Sequence, residues 1–162
     1  LYVSNTVLSE WSNKLYTDRI IYTKQTPYQN IVMTKDRDDI RLFLDGNLQF
    51  SSLDEYRYHE VLVHVPMSSV PQGRRVLVLG GGDGLVLREL AKYGTDIHSI
   101  TVVDLDPSVV TLASSNPYLK SLNQGSFDNE KVNVHHQDAF QFLERRSLLF
   151  NHFPVFIVKV VL

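Results

Sequence analysis

Apolar positions along this chain change rhythm near residue 52. Before it they form short β-branched and aromatic runs: Ile20, Ile21 and Tyr22, then Tyr28 to Thr34, then Ile40 to Leu44. Polar breaks at Thr23 to Pro27 and Lys35 to Asp39 separate them. Such runs read as strands, and Asp45-Gly46 between apolar neighbours reads as a tight turn returning the chain through Asn47 to Phe50. The expectation is a small antiparallel β domain over residues 1–52. In its first stretch Val7, Leu8, Trp11 and Leu15 lie at helical spacing, so a short amphipathic helix is one reading there.

After residue 52 the period lengthens. Ser52-Leu53-Asp54-Glu55 has the spacing of a capping box, and Tyr58, Val61, Leu62 and Val65 then fall on one helical face until Pro66. A connector from Met67 to Gly73 leads to the apolar run Val76 to Leu79, which reads as a buried parallel strand. The next helix turns Val86, Leu87, Leu90 and Ala91 inward and stops at Gly94. Ile97 to Val103 forms a second strand, Asp106 and Pro107 open another helix, and Asn116-Pro117 breaks it. A polar loop to Glu130, a third strand at Val132 to His136, a short helix to about Arg146 and a fourth strand at Phe153 to Leu162 complete the pattern. Strand and helix alternate throughout residues 53–162, which predicts a parallel sheet wound with right-handed crossovers.

Composition narrows the function classes. Hydrophobic residues at 43%, charged residues at 21% and a formal charge of −2 are ordinary for a globular chain and carry no polyanion-binding signature, so nucleic acid is not an expected partner. With no cysteine there is no disulfide framework, thiolate zinc site or cysteine nucleophile, which is compatible with a reducing cytoplasm. No apolar run approaches the length of a membrane span. No metal site is expected either, because His135 and His136 are strand neighbours pointing to opposite faces.

The candidate chemistry gathers at RVLVLGGGDGLVLREL, residues 75–90. Gly80, Gly82 and Gly84 give G-x-G-x-G; Leu85 stands where the dinucleotide fingerprint has its third glycine, and no Lys-Ser/Thr pair follows to make a P-loop. An acid inside the turn, Asp83, would repel a pyrophosphate and accept an ammonium group. The expected ligand is therefore a nucleoside with a cationic tail. In a parallel sheet the ligand sits outside the carboxyl ends of the strands, where Asp104 suits ribose hydroxyls and Asp138 an adenine amino group. Asp106, before Pro107, is at least as well explained as a helix cap.

GGGDG followed by LRE, LDGNLQFSSLDEYRYHE before it, TPYQNI further upstream and VDLDP downstream together resemble the aminopropyltransferases of the spermidine synthase family. The similarity covers roughly residues 10 to 143, and LDGNLQFSSLDEYRYHE is most similar to the soluble domain of the bacterial membrane-anchored forms. The resemblance implies an N-terminal β domain followed by a methyltransferase-like Rossmann sheet. It implies aminopropyl transfer from decarboxylated S-adenosylmethionine, a co-substrate, to putrescine, leaving methylthioadenosine, with no cofactor required. By position, Gln29 and Gln49 resemble the family's nucleoside- and tail-contacting glutamines, and Gly80 and Gly82 would approach the co-substrate backbone-first. Asp83 would hold the aminopropyl ammonium, Asp104 the ribose, and Asp138 with the Ala139 amide the adenine. Tyr58 and His59 resemble residues where polyamine and aminopropyl groups meet. The plain readings stay open: Gln29 and Gln49 as polar strand residues, Tyr58 as core, and His59 as a solvated histidine or the i+4 partner of Glu55.

The chain departs from the family at its fourth strand. A D-x-x-D-P segment is expected there, its first acid the general base; here Lys159 stands near that position, and its charge would repel a cationic substrate. The family's later strands and substrate loop are missing from this sequence, so the sheet is expected to be truncated after the fourth strand. No catalytic acid is expected to be retained, the chain itself is expected not to turn over, and the apolar strand edge is expected to drive self-association. The resemblance leaves open a membrane tether ahead of Leu1, with this domain in the cytoplasm. Two other functions share the pattern: an S-adenosylmethionine-dependent small-molecule methyltransferase, and a non-catalytic nucleoside-binding module.

Overall fold

The computed structural model describes residues 16–70 and 74–144, and the backbone of Val155–Val158. The predicted helix in the first stretch, and Lys159, lie outside the described residues. The chain divides into two compact units, with the boundary between Glu55 and Tyr56.

The N-terminal unit is an antiparallel meander of four strands in sequence order: β1 (Arg19–Gln25), β2 (Asn30–Asp36), β3 (Asp39–Leu44) and β4 (Asn47–Ser51). Ile31, Val32, Met33, Leu42 and Phe50 fill its core. The β3–β4 hairpin closes on Asp45 and Gly46, both left-handed with φ of 49° and 80°, the two-residue turn whose twist matches the strands it joins. Phe43 pairs with Leu48 and Leu42 with Phe50, which leaves Gln49 as the extra residue of a β-bulge. Buried Asp39 accepts hydrogen bonds from Ser51 Oγ (2.7 Å) and Arg41 Nε (2.6 Å).

Ser52 does not behave as the capping spacing suggests. Its hydroxyl is tied into the sheet, accepting from the Ile40 N–H at 2.9 Å, and the helix α1 (Glu55–Ser68) opens three residues later. Of the predicted face of α1 only Leu62, half-buried, packs against the core. Tyr58, Val61 and Val65 are 44%, 64% and 62% exposed, whereas Glu55, His59, Val63 and Met67, spaced by four, point inward. Two polar residues on the inward ridge hide it from a purely apolar count. The helix also runs past Pro66 to Ser68, because a proline in the last turn removes only one N–H from the ladder.

The second unit holds a parallel sheet in the order β7-β6-β5-β8, formed by β5 (Arg74–Leu79), β6 (Ile97–Asp104), β7 (Val132–His136) and β8 (Val155–Val158). Alternation along β5 sends Val76 and Val78 into a core with Val63 and Met67 of α1 and with Val86 and Leu90 of α2 (Leu85–Ala91). Leu77 and Leu79 face the other way, toward Val103 and toward Phe142 of a short C-terminal helix. Helices α3 (Pro107–Ser115), α4 (Pro117–Leu122) and α5 (Ala139–Glu144) complete the unit. Asp106 caps α3 through the Ser108 N–H, with Pro107 in its first turn as expected. The expected loop after Asn116-Pro117 instead begins with α4. The Asn116 side chain accepts from Tyr118 and Leu119, and a proline that ends one helix starts the next. Ala91 is exposed. Gly94, left-handed at φ 48°, opens a short 3-10 turn two residues past the α2 C-cap, Lys92.

Toward the C-terminal end of α2, Glu89 is buried with Arg88 and Lys92 on its carboxylate and His64 Nε2 of α1 at 3.1 Å. His64 Nδ1 lies 2.8 Å from the Tyr93 hydroxyl, so this polar clasp joins the two helices. Burial pushes the Glu89 carboxyl up, but hydrogen bonds from Lys92 and Arg88 outweigh it and hold the group below the usual range. Among the described residues no helix is long and apolar enough to cross a membrane.

Candidate functional site

The chain leaves the carboxyl end of β5 through the glycine turn and enters α2 at Gly84, whose φ is 80°. The Gly80 N–H donates to the Val103 carbonyl of β6 at 2.8 Å, which sets the turn directly beside the end of the neighbouring strand. There Asp104 stands half-buried. Its Oδ2 accepts from the Gly82 N–H at 2.8 Å and its Oδ1 from the Asp106 N–H at 3.1 Å. Gly82 is required for this approach, since a Cβ on it would lie 2.7 Å from Asp104 Oδ2.

Asp83 is buried inside the turn, with Oδ1 accepting from the Leu85 N–H at 3.0 Å. Asp104, Asp83 and Asp106 therefore concentrate negative charge at one strand end. Burial pushes the Asp104 carboxyl up; the N–H groups of Gly82 and Asp106 pull against it, the charges of Asp83 and Asp106 reinforce it, and the net shift is upward. A site of this sign opposes a phosphate and favours a cation.

Asp138 sits just beyond β7, half-buried, where Oδ1 accepts from the Gln141 N–H at 2.9 Å as the cap of α5; Ala139 is the first residue of that helix. Because β5, β6 and β7 are parallel neighbours, Asp83, Asp104 and Asp138 all lie at the same end of the sheet. Tyr58 and His59 lie in the first turns of α1, ring centroids 5.1 Å apart, with Tyr58 outward and His59 fully buried. His59 is therefore not a solvated histidine, and Tyr58 is not core. His135 is half-buried and tilted against Phe142, and His136 is exposed.

In the N-terminal unit, Gln29 lies in the turn before β2 and not in a strand. Its N–H donates to Thr26 Oγ1 at 3.0 Å, and Thr26 Oγ1 donates back to its carbonyl, also at 3.0 Å. Gln49 occupies the β4 bulge, half-buried, with Nε2 donating to the Asn47 carbonyl at 3.1 Å.

Two residues that the sequence reading passed over are bound into the glycine turn. Asn123 Nδ2 donates to the carbonyl of Asp83 at 3.0 Å, and Ser126 Oγ donates to the carbonyl of Gly84 at 2.8 Å. They lie in a polar stretch that reads as a solvated loop. The only local cue is Asn123-Gln124-Gly125, since Gln124 and Gly125 both adopt left-handed φ.

Known proteins resemble this chain in sequence and in fold. Residues 55–160 match the family described as the spermine/spermidine synthase domain. A polyamine aminopropyltransferase of Oceanobacillus iheyensis is 50% identical over 147 residues, covering 91% of this chain and 28% of that protein. One from Leptospira interrogans is 52% identical over 137 residues, covering 85% and 27%. The chain thus spans little more than a quarter of the length of these curated relatives. Among solved structures, spermidine synthase from Thermotoga maritima superposes with a TM-score of 0.77 at 31% identity, covering 87% of this chain and 48% of that one. A spermidine synthase in complex with the transition state analogue AdoDATO gives the same TM-score and identity, covering 87% and 47%. The matched span takes in α1, the glycine turn, the acids at the strand ends and the crossover to β8, and with these the chain belongs to the spermine/spermidine synthase family.

Proposed function

We propose that the second unit binds the adenosyl end of decarboxylated S-adenosylmethionine, as part of a spermidine synthase that transfers the aminopropyl group to putrescine. The products are spermidine and methylthioadenosine. The observation that carries the reading is the grouping of Asp83, Asp104 and Asp106 around the glycine turn. A carboxylate fixed by two N–H groups is oriented for a diol, and its negative neighbours suit a ligand whose tail is cationic. In this reading Asp104 accepts from the ribose hydroxyls, Gly80 and Gly82 line the approach, and Asp83 takes the aminopropyl ammonium. Asp138 and the Ala139 amide take the adenine edge. Tyr58 and His59 serve the meeting point of amine and aminopropyl carbon, with Gln29 and Gln49 as further ligand contacts. A bulge re-aims a side chain, which supports Gln49 in that role.

The reaction is an in-line displacement. The neutral amine of putrescine attacks the carbon beside the sulfonium, the C–S bond breaks, and its electron pair leaves on sulfur as the neutral thioether methylthioadenosine. The new ammonium then loses a proton. Because the sulfonium is already a good leaving group, alignment is the main demand on the protein, and no metal is needed. Lysine 159, with its charge of the wrong sign, leads us to expect that this chain binds the nucleoside and does not turn over. The reducing cytoplasm is the proposed compartment for a chain without cysteine.

Calorimetric titration of the 162-residue chain with methylthioadenosine tests the reading. Binding is expected in the wild type and is expected to be lost in Asp104→Ala with the fold retained by circular dichroism. A folded wild type that does not bind, or an Asp104→Ala variant that binds equally well, overturns it. Preference for S-adenosylmethionine over the decarboxylated form would count against aminopropyl transfer and for methyl transfer.

A further inference from the structure

The glycine turn carries bonds of its own, from the Gly84 N–H to the Gly81 carbonyl and from the Leu85 N–H to Asp83 Oδ1, both at 3.0 Å. Two of its carbonyls are held in addition by a segment 40 or more residues downstream, between the end of α4 and β7. Asn123 is fully buried, and both of its amide donors are used. Nδ2 donates to the carbonyls of Asp83 and Ala113, both at 3.0 Å, and Oδ1 accepts from the Gly125 N–H at 3.0 Å. One side chain thus joins the turn, the end of α3 and its own loop. Ser126, also buried, donates to the Gly84 carbonyl at 2.8 Å, and that carbonyl already accepts the Arg88 N–H of the first turn of α2 at 3.0 Å. The contact leaves no spare room: a Cβ on Gly84 would meet Phe127, Ser126 and Asn123 at 2.8 to 2.9 Å.

The two carbonyls held in this way are those of Asp83 and of the residue after it. Fixing both planes that follow the Asp83 Cα limits the rotation of the backbone that aims its carboxylate. We infer that Asn123 and Ser126 are positioning residues, which set the direction of Asp83 toward the ammonium of an aminopropyl-bearing nucleoside by clamping the turn from behind. Neither side chain is proposed to touch ligand. The inference rests on the assignment of Asp83 made above.

A purely structural pair would lower stability and weaken every ligand alike, whereas a positioning pair governs discrimination between ligands that differ in the amine. The experiment compares affinities of the full chain for decarboxylated S-adenosylmethionine and for methylthioadenosine, which lacks the aminopropyl group. It uses wild type, Asn123→Asp, Ser126→Ala and Asp83→Asn. Asn123→Asp replaces two donors by an acceptor of the same shape; Ser126→Ala removes one donor and is the milder variant should the first not fold. The expected result is a fall in the affinity ratio of about three- to tenfold in each buttress variant that folds, with methylthioadenosine binding changed less. A ratio unchanged in Ser126→Ala, or equal losses for both ligands, overturns the inference. Asp83→Asn separates the two levels. If it leaves the ratio unchanged, or if the wild type does not discriminate, the assignment of Asp83 fails and the inference falls with it. If it abolishes the ratio while the buttress variants keep theirs, only the inference falls.

Discussion

At Gly82 the absence of a side chain has a specific purpose, because the space a methyl would take is filled by the carboxylate of Asp104. The cheapest response to Gly82→Ala is rotation of that short side chain away from the Gly82 N–H. We expect a destabilisation of about 1–3 kcal/mol by chemical denaturation. Methylthioadenosine binding should fall roughly tenfold or more, because a charge-assisted hydrogen bond that orients the ribose acceptor is lost. The raised pKa of Asp104 makes a second prediction. In the role proposed for it, only the ionised carboxylate would accept from both ribose hydroxyls, so affinity should decline as pH falls through a pKa above the ordinary aspartate value of ~3.9. Folding stability carries the opposite sign: the contribution of this group is full below the unfolded value and is lost as pH rises through the folded one. Titration calorimetry across pH, with Asp104→Asn flattening the binding profile, checks the first, and thermal melts across the same range check the second. Asp104 stood out in the sequence because it ends an apolar run that announces a strand, and Asp83 and Asp138 because they follow such strands by a few residues. Asn123 and Ser126 were not, since their partners are backbone carbonyls 40 and 42 residues away and nothing in a polar loop encodes such a distance.

Helix α1 shows where element-level reading succeeded and where it stopped. Its existence followed from the period, but its orientation did not, because the buried ridge carries Glu55 and His59 beside Val63 and Met67, and the outward one carries Tyr58, Val61 and Val65. Substitution distinguishes the two ridges. Val61→Ser should leave the unfolding free energy within about 0.5 kcal/mol, as exposed positions do, whereas Val63→Ala should cost about 2 kcal/mol through lost burial and the cavity left behind. Equilibrium denaturation of the pair reads both; a large loss at Val61 would contradict the observed packing. The strands were more legible than the helices. Strand β5 is apolar on both faces, and its alternate residues enter two separate cores, so any placement of that run had to be central. Helix α4 was hidden by the same Asn-Pro pair that caps it, since one dipeptide serves equally well as an end and a beginning.

For the whole molecule, the antiparallel and parallel parts were readable from the change of rhythm near residue 52, and the contact pattern divides the chain at Glu55. The strand order was beyond local pattern, because β8 pairs with β5 and not with its predecessor β7. That order leaves β8 with a partner on one side among the described residues. We expect the edge to recruit further chains, so sedimentation velocity over a rising concentration series should show a growing average mass. A single monomeric species throughout would exclude edge pairing.

The clamp behind the glycine turn also imposes an order of events. Gly84 is made before the residue whose hydroxyl holds its carbonyl, which lies 42 positions later. At ribosomal rates of about 5–20 residues per second, the turn waits roughly 2–8 s for its fastening. Through that interval the nascent chain carries the glycines and Asp83 of the turn without that additional support. The turn is therefore fastened only once the segment after α4 has been made.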